Sequence, residues 1–197
     1  MRTIYQALFL SVMTAASAYP AMLSLGASAP QVGVGQTTEI ELLVSGLGDG
    51  VAPSLGAWII DITYDSAVFS IGDTDVTFGT SLGDPDLDTF ASVDASTAGI
   101  VLLDQTSFLL PADLVALQSS SFTLATLRFT GLAPGTGVFG FSFTDLADEN
   151  VPSNAIALDG TLGTTMAVVS SEIPEPATVT LLGLSLLGMA VVRRKRR

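Results

Sequence analysis

The sequence predicts an all-β chain, an antiparallel β-sandwich with one short helix, followed by a C-terminal transmembrane helix. Three observations carry that reading. Apolar residues recur at every second position in several short runs, the period of a half-buried strand. Clusters of Gly, Pro and Asp separate those runs at the intervals of a sandwich. One long apolar stretch near the C-terminus is closed by five consecutive cations.

Residues 22–25 open the series of strands, and Ile40, Leu42 and Val44 then alternate with Glu39 and Glu41. The clearest run places Trp58, Ile60, Ile62 and Tyr64 on one strand face, with Asp61, Thr63 and Asp65 on the other. Residues 76–78 and 100–103 add two short strands. A helix then interrupts the series. Pro111 suits the first helical position and Asp113 the positive end of the helix dipole, while Leu110, Leu114 and Leu117 form a stripe expected to be buried against one end of the sandwich. In the strand over residues 122–129 the apolar parity shifts between Leu124 and Ala125, which predicts a β-bulge. Phe139, Phe141 and Phe143 repeat the alternation on one face, and residues 162–168 supply the last strand.

The two ends read as membrane signals around a single exported domain. Residues 1–18 have a positive start at Arg2, an apolar stretch over residues 4–12, and the small residues Ala16 and Ala18 of an A-x-A cleavage site, the pattern of a secretory signal peptide. Cleavage after Ala18 is the expectation, with a small residue in the next ten as the alternative. Residues 19–170 form the domain, and residues 171–197 a terminal signal. In that signal Pro174, Glu175 and Pro176 precede a transmembrane helix at 177–192, and Arg193, Arg194, Lys195, Arg196 and Arg197 follow it. The apolar segment spans roughly 24 Å at about 1.5 Å per residue, against a hydrocarbon core of about 30 Å. Insertion is therefore marginal, which suits a temporary anchor. Holding the five cations on the cytoplasmic side of a membrane potential is worth about 2.3 kcal/mol per charge per 100 mV. Both prolines lack a backbone donor and disfavour helix in the residue before them, so the helix stops short of the domain and leaves an extended, accessible peptide.

A Pro-Glu-Pro triplet, a short apolar helix and a terminal Arg/Lys cluster in this order resemble the PEP-CTERM sorting signal of Gram-negative bacteria that make exopolysaccharide. The resemblance implies recognition by an exosortase, a membrane-embedded cysteine transpeptidase that removes the anchor. Together with Sec-type export at the N-terminal end, it implies a protein carried across the inner membrane and held there transiently with its domain on the periplasmic side. Delivery to the cell surface or extracellular matrix follows. An ordinary single-span tail anchor is the alternative.

Charge and composition narrow the function classes. Lys and Arg occur at Arg2, Arg128 and the five terminal positions, so the stretch from Tyr19 to Ile173 carries eighteen acids against one base, net −17. Such a surface repels nucleic acid and anionic lipid. With no His and no Cys there is no Ser-His triad, thiol nucleophile, ordinary zinc site or disulfide framework, and the domain has no Lys for Ser-Lys chemistry. Carboxylate pairs remain the only catalytic option, and no spacing marks one. The expectation is a non-enzymatic protein.

Residues Glu39-Ile40-Glu41-Leu42, then the run from Gly56 through Trp58 to Tyr64-Asp65-Ser66-Ala67-Val68-Phe69, resemble the start of a cohesin-like domain. A strand ending in a Tyr-Asp-Pro-x-Val/Leu turn is common there, and Ser66 stands here in place of the proline. The helix around Pro111 and the strand Phe122-Thr123-Leu124-Ala125-Thr126-Leu127 extend the resemblance over most of the domain. A generic immunoglobulin-like sandwich is the alternative. The cohesin resemblance implies a module serving protein–protein binding or a structural role in the matrix. A carbohydrate-binding module for exopolysaccharide is the rival function, weakened because the lone Trp58 falls on the core face.

Hard oxygen ligands at alternating positions suit calcium, and Asp84, Asp86 and Asp88 have that spacing, with Asp73 and Asp75 before them. Thr89 and Ala95 occupy positions where an EF-hand needs Gly and Glu, so an EF-hand is excluded and only an irregular calcium site remains open. Asp145, Asp148 and Glu149 form a second acidic group.

Overall fold

Alternating apolar side chains build two six-stranded sheets in the computed structural model, which describes residues 20–170. The expected signal peptide at 1–18, the Pro174-Glu175-Pro176 motif, the expected helix at 177–192 and the basic cluster lie outside the described residues. Among the described residues no helix is long and apolar enough to cross a membrane.

The first sheet contains β1 (Ala21–Ala27), β3 (Thr37–Ser45), β5 (Phe69–Ser70), β6 (Val76–Phe78), β9 (Ser121–Gly131) and β11 (Leu158–Leu162). Its order is β11-β1-β3-β9, with β5 and β6 both pairing the far edge of β9. The second contains β2 (Gln31–Gly33), β4 (Leu55–Thr63), β7 (Thr89–Asp94), β8 (Ile100–Ser107), β10 (Gly135–Asp148) and β12 (Thr164–Val169), in the order β2-β12-β10-β4-β8-β7. Pairing is antiparallel except at two edges, where β11 runs parallel to β1 and β2 parallel to β12.

The expected inward residues form the core. Ile40, Leu42, Val44, Trp58, Ile60, Ile62 and Tyr64 are all buried, while Glu39 and Glu41 face solvent. Phe129 from one sheet packs edge-on against Phe139 from the other, with ring centroids 4.9 Å apart, and Tyr64 closes on Phe129 at 5.1 Å. Each fully buried Phe contributes about 1.5–3 kcal/mol through area removed from water, and edge-on pairing adds about 0.5–1.5. Trp58 is buried with its ring 5.8 Å from Phe78.

The bulge predicted at Leu124 is present. Leu42 pairs with Ala125 and Leu43 with Thr123, so Leu124 has no partner across β3, and Leu124 and Ala125 both point inward. A second bulge corrects the reading of the three phenylalanines. Phe141 pairs with Ile62 and Phe143 with Asp61, which leaves Ser142 unpaired. The extra residue reverses the parity of β10, so Phe139 is buried, Phe143 is half exposed and Leu146 takes over the inward position.

The final apolar run is two strands, not one. Leu162 ends β11 in the first sheet, Gly163 turns the chain, and Thr164 begins β12 in the second. A side chain at Gly163 would collide with the carbonyl oxygen of Phe139, which accounts for glycine at the crossing. Three short strands have no counterpart in the sequence pattern: β2 and β7 at the edges of the second sheet and the two-residue β5.

Helix α1 (Pro111–Leu117) starts at Pro111 as expected, but the leucine stripe is not buried as a unit. Leu114 is 2% exposed, against 69% for Leu110 and 50% for Leu117. Leu110 is the N-cap with extended backbone, so it leaves the helical face, and seven residues make fewer than two turns. The helix is held through Leu114 and its C-cap Gln118.

Candidate functional site

The bulge at Ser142 puts β10 in register to extend an outward face across four strands. Ala147, Ala57, Thr106 and Phe90 form one row over β10, β4, β8 and β7. Asp145, Ile59, Asp104 and Ser92 form the next, and Phe143, Asp61, Leu102 and Asp94 the third. Phe143, Ile59, Leu102 and Phe90 are all at least 40% exposed, so the rows set large apolar groups among four carboxylates. The scaffold beneath is rigid, because the alternate residues Trp58, Ile60, Val101, Leu103 and Gln105 are buried in the core. Among the described residues the only cation is Arg128, which lies on β9 in the other sheet, 3.9 Å from Glu39.

Hydrogen bonds tie down the carboxylates around this face. The Ser92 hydroxyl donates to Asp104 across β7 and β8. Bonds from the hydroxyl and amide of Ser96 hold the Asp94 carboxyl below its usual range. Desolvation pushes the pKa of Asp148 up, but the side-chain and backbone N–H groups of Asn154 and Asn150 outweigh it and leave the group lowered. Asp148 Oδ2 accepts from both side-chain amides at 2.8 Å, and Oδ1 from the backbone of Asn154 at 2.7 Å and of Asn150 at 3.2 Å.

The calcium candidates are arranged otherwise. Asp84 Oδ1 accepts the amide of Asp86 at 2.9 Å, and Asp88 Oδ2 accepts the amide of Asp84 at 3.1 Å, so two of the three carboxylates organise their own loop. Asp73 and Asp75 bond the amides of Ala95 and Gly72. Neither these residues nor Asp145, Asp148 and Glu149 converge, and among the described residues no group of three or more such side chains is arranged to hold a metal ion.

A family model for the PEP-CTERM protein-sorting motif matches residues 172–197. The chain carries a PEP-CTERM sorting motif. In architecture the described domain is similar to solved cohesins. A type I cohesin–dockerin complex from Clostridium thermocellum aligns with a TM-score of 0.60 at 13% identity, covering 76% of this chain and 99% of that one. The seventh ScaB type I cohesin from Pseudobacteroides cellulosolvens gives 0.60 at 12% identity, over 80% and 97%. A type II cohesin domain from the cellulosome of Acetivibrio cellulolyticus gives 0.58 at 15% identity, over 75% and 95%. The exported domain has the cohesin fold. No curated protein matches the chain in sequence.

The apolar residues of the cohesin-fold face escaped the sequence reading. Local alternation points Phe143 inward, β7 around Phe90 has no counterpart in the sequence pattern, and Ile59 and Leu102 are large apolar residues at outward positions of their strands. A large apolar residue out of phase with a strong alternation is the one signal that marks such a face in advance.

Proposed function

We propose that this protein is a non-enzymatic binding module, exported by a Sec-type route, processed at its PEP-CTERM tail by an exosortase, and retained at the cell surface or in the extracellular matrix. The observation that carries the binding role is the face of β10, β4, β8 and β7, where Phe143, Ile59, Leu102 and Phe90 stand exposed on a rigid sheet. Apolar anchors ringed by polar groups are how protein interfaces concentrate their energy. The carboxylates between them favour a partner bearing Lys or Arg, which steers encounter and repels acidic competitors. The cohesin fold adds weight, since solved relatives of that fold were captured as complexes with dockerins. A dockerin-type module is the partner class we assign. Carbohydrate binding is the lesser reading, because the sole Trp58 is 1% exposed and offers no sugar platform.

Two experiments test this. Calorimetric titration with dockerin modules from the same organism is expected to give binding that Phe143→Asp and Ile59→Asp each remove without unfolding the domain. Binding that survives both changes, or binding to glycans in place of every dockerin, overturns the reading. Comparing cells with and without the sorting enzyme is expected to show loss of the residues after the Pro-Glu-Pro motif only when the enzyme is present. A full-length inner-membrane product in both strains sinks the processing step.

A further inference from the structure

A groove of about 480 Å³ opens at the end of the sandwich, between α1, the start of β4 and the loop after β10. Its floor is Leu114 with Gly56 and Ala57, and its walls are Phe108, Leu110 and Val151, which are 68%, 69% and 95% exposed. Large apolar side chains standing in water around a concave surface mark an interaction site. An enclosed small-molecule pocket buries its lining, whereas these walls stay open along their length, the shape that takes an extended chain.

The rim is acidic. Asp148 and Glu149 line the groove, and Asp113 lies on the first turn of α1, which borders it. The only cation among the described residues is on the opposite sheet. The rim residues and the neighbour of Phe108 are also held in place before any partner arrives. The Asn150 and Asn154 amides clamp Asp148, Glu149 accepts the amide of Ser54 at 2.9 Å, and Ser107 donates to the carbonyl of Leu82. Such preorganisation lowers the entropy lost on binding.

The groove lies at the opposite end of β10 from the point where β12 ends. β10 runs fourteen residues from Gly135, beside Val168, to Asp148 on the rim, a length of roughly 45 Å at about 3.3 Å per residue. The chain leaves the domain after β12 at the Gly135 end, and the sorting motif follows from residue 172.

We propose that this groove is a second docking site at one end of the sandwich, meeting the sheet face at Ala57 and Thr106, for an apolar peptide segment flanked by Lys or Arg on a partner protein. The test measures fluorescence anisotropy of labelled synthetic peptides with the exported protein isolated from cells, at physiological salt. An alternating Leu/Lys peptide is expected to bind about tenfold tighter than either a Leu/Glu or a Ser/Lys peptide of equal length, and Leu110→Ser and Val151→Ser to weaken it about fivefold each. Phe143→Ser, on the sheet face, is expected to leave it unchanged. Equal binding of the Ser/Lys peptide reduces the effect to net charge, and equal binding of the Leu/Glu peptide removes the role of the acidic rim. Either result overturns the proposal. Binding lost on Phe143→Ser but kept in both groove variants also overturns it, while leaving the sheet-face reading intact.

Discussion

The side-chain amide of Gln118 pairs with the backbone of Leu55 in both directions, donating from Nε2 to its carbonyl and accepting at Oε1 from its N–H, each at 2.7 Å. Both residues are buried. The amide acts as a one-residue strand at the start of β4 and ties the C-cap of α1 to the sheet. Groove and helix are positioned by this contact.

Gln118→Ala removes both bonds and leaves the Leu55 groups buried without partners, so it is expected to lower unfolding free energy by about 2–4 kcal/mol. Urea denaturation monitored by circular dichroism measures the loss. A change of under about half a kcal/mol would show that α1 is held by Leu114 alone.

Asp148 makes stability depend on acid. Its folded pKa lies below the ordinary value, so its contribution is fully present above about pH 4 and is lost as pH falls through the lowered folded value. Asp148→Asn is expected to be less stable than the parent at neutral pH and to lose less stability on acidification. Parallel melting curves for the two proteins down to about pH 2 would refute the role of the carboxylate.

Two glycines three residues apart should respond in opposite ways. Gly163→Ala meets the Phe139 carbonyl at the crossing between sheets and is expected to cost about 1–3 kcal/mol. Gly160, on β11, has open space where a Cβ would go, so Gly160→Ala is expected to be neutral or stabilising by up to about 1 kcal/mol. Chemical denaturation of both variants gives the comparison, and equal costs would mean that the crossing is not tight.

Phe139 and Phe143 share apparent parity on one strand but not one environment. Phe139→Ala is expected to cost about 3–5 kcal/mol, and Phe143→Ala no more than about half a kcal/mol. Comparable losses at both sites would remove the bulge at Ser142 and the binding face with it.

Local pattern made much of this fold legible. Runs such as Ile40-Leu42-Val44 and Trp58-Ile60-Ile62 state their own inward face, since one face of a strand repeats every second residue. Even the bulge at Leu124 was visible, because two adjacent apolar residues broke the alternation. Ser142 left no such mark. Phe141 and Phe143 continue the apparent alternation through the inserted residue, and only the register against Ile62 and Asp61 reveals the reversal.

The sequence by itself determined an all-β domain, most of its core residues, its acidic character, its sorting motif and its resemblance to cohesins, because periodicity, charge and terminal motifs are local properties. The tertiary structure decided which strands are edges, where the chain changes sheets at Gly163, and which apolar residues remain exposed on the four-strand face and around the groove. Those outcomes depend on pairing between residues far apart in the chain. A one-residue change in pairing sends a side chain to the opposite face, and no local window contains that partner.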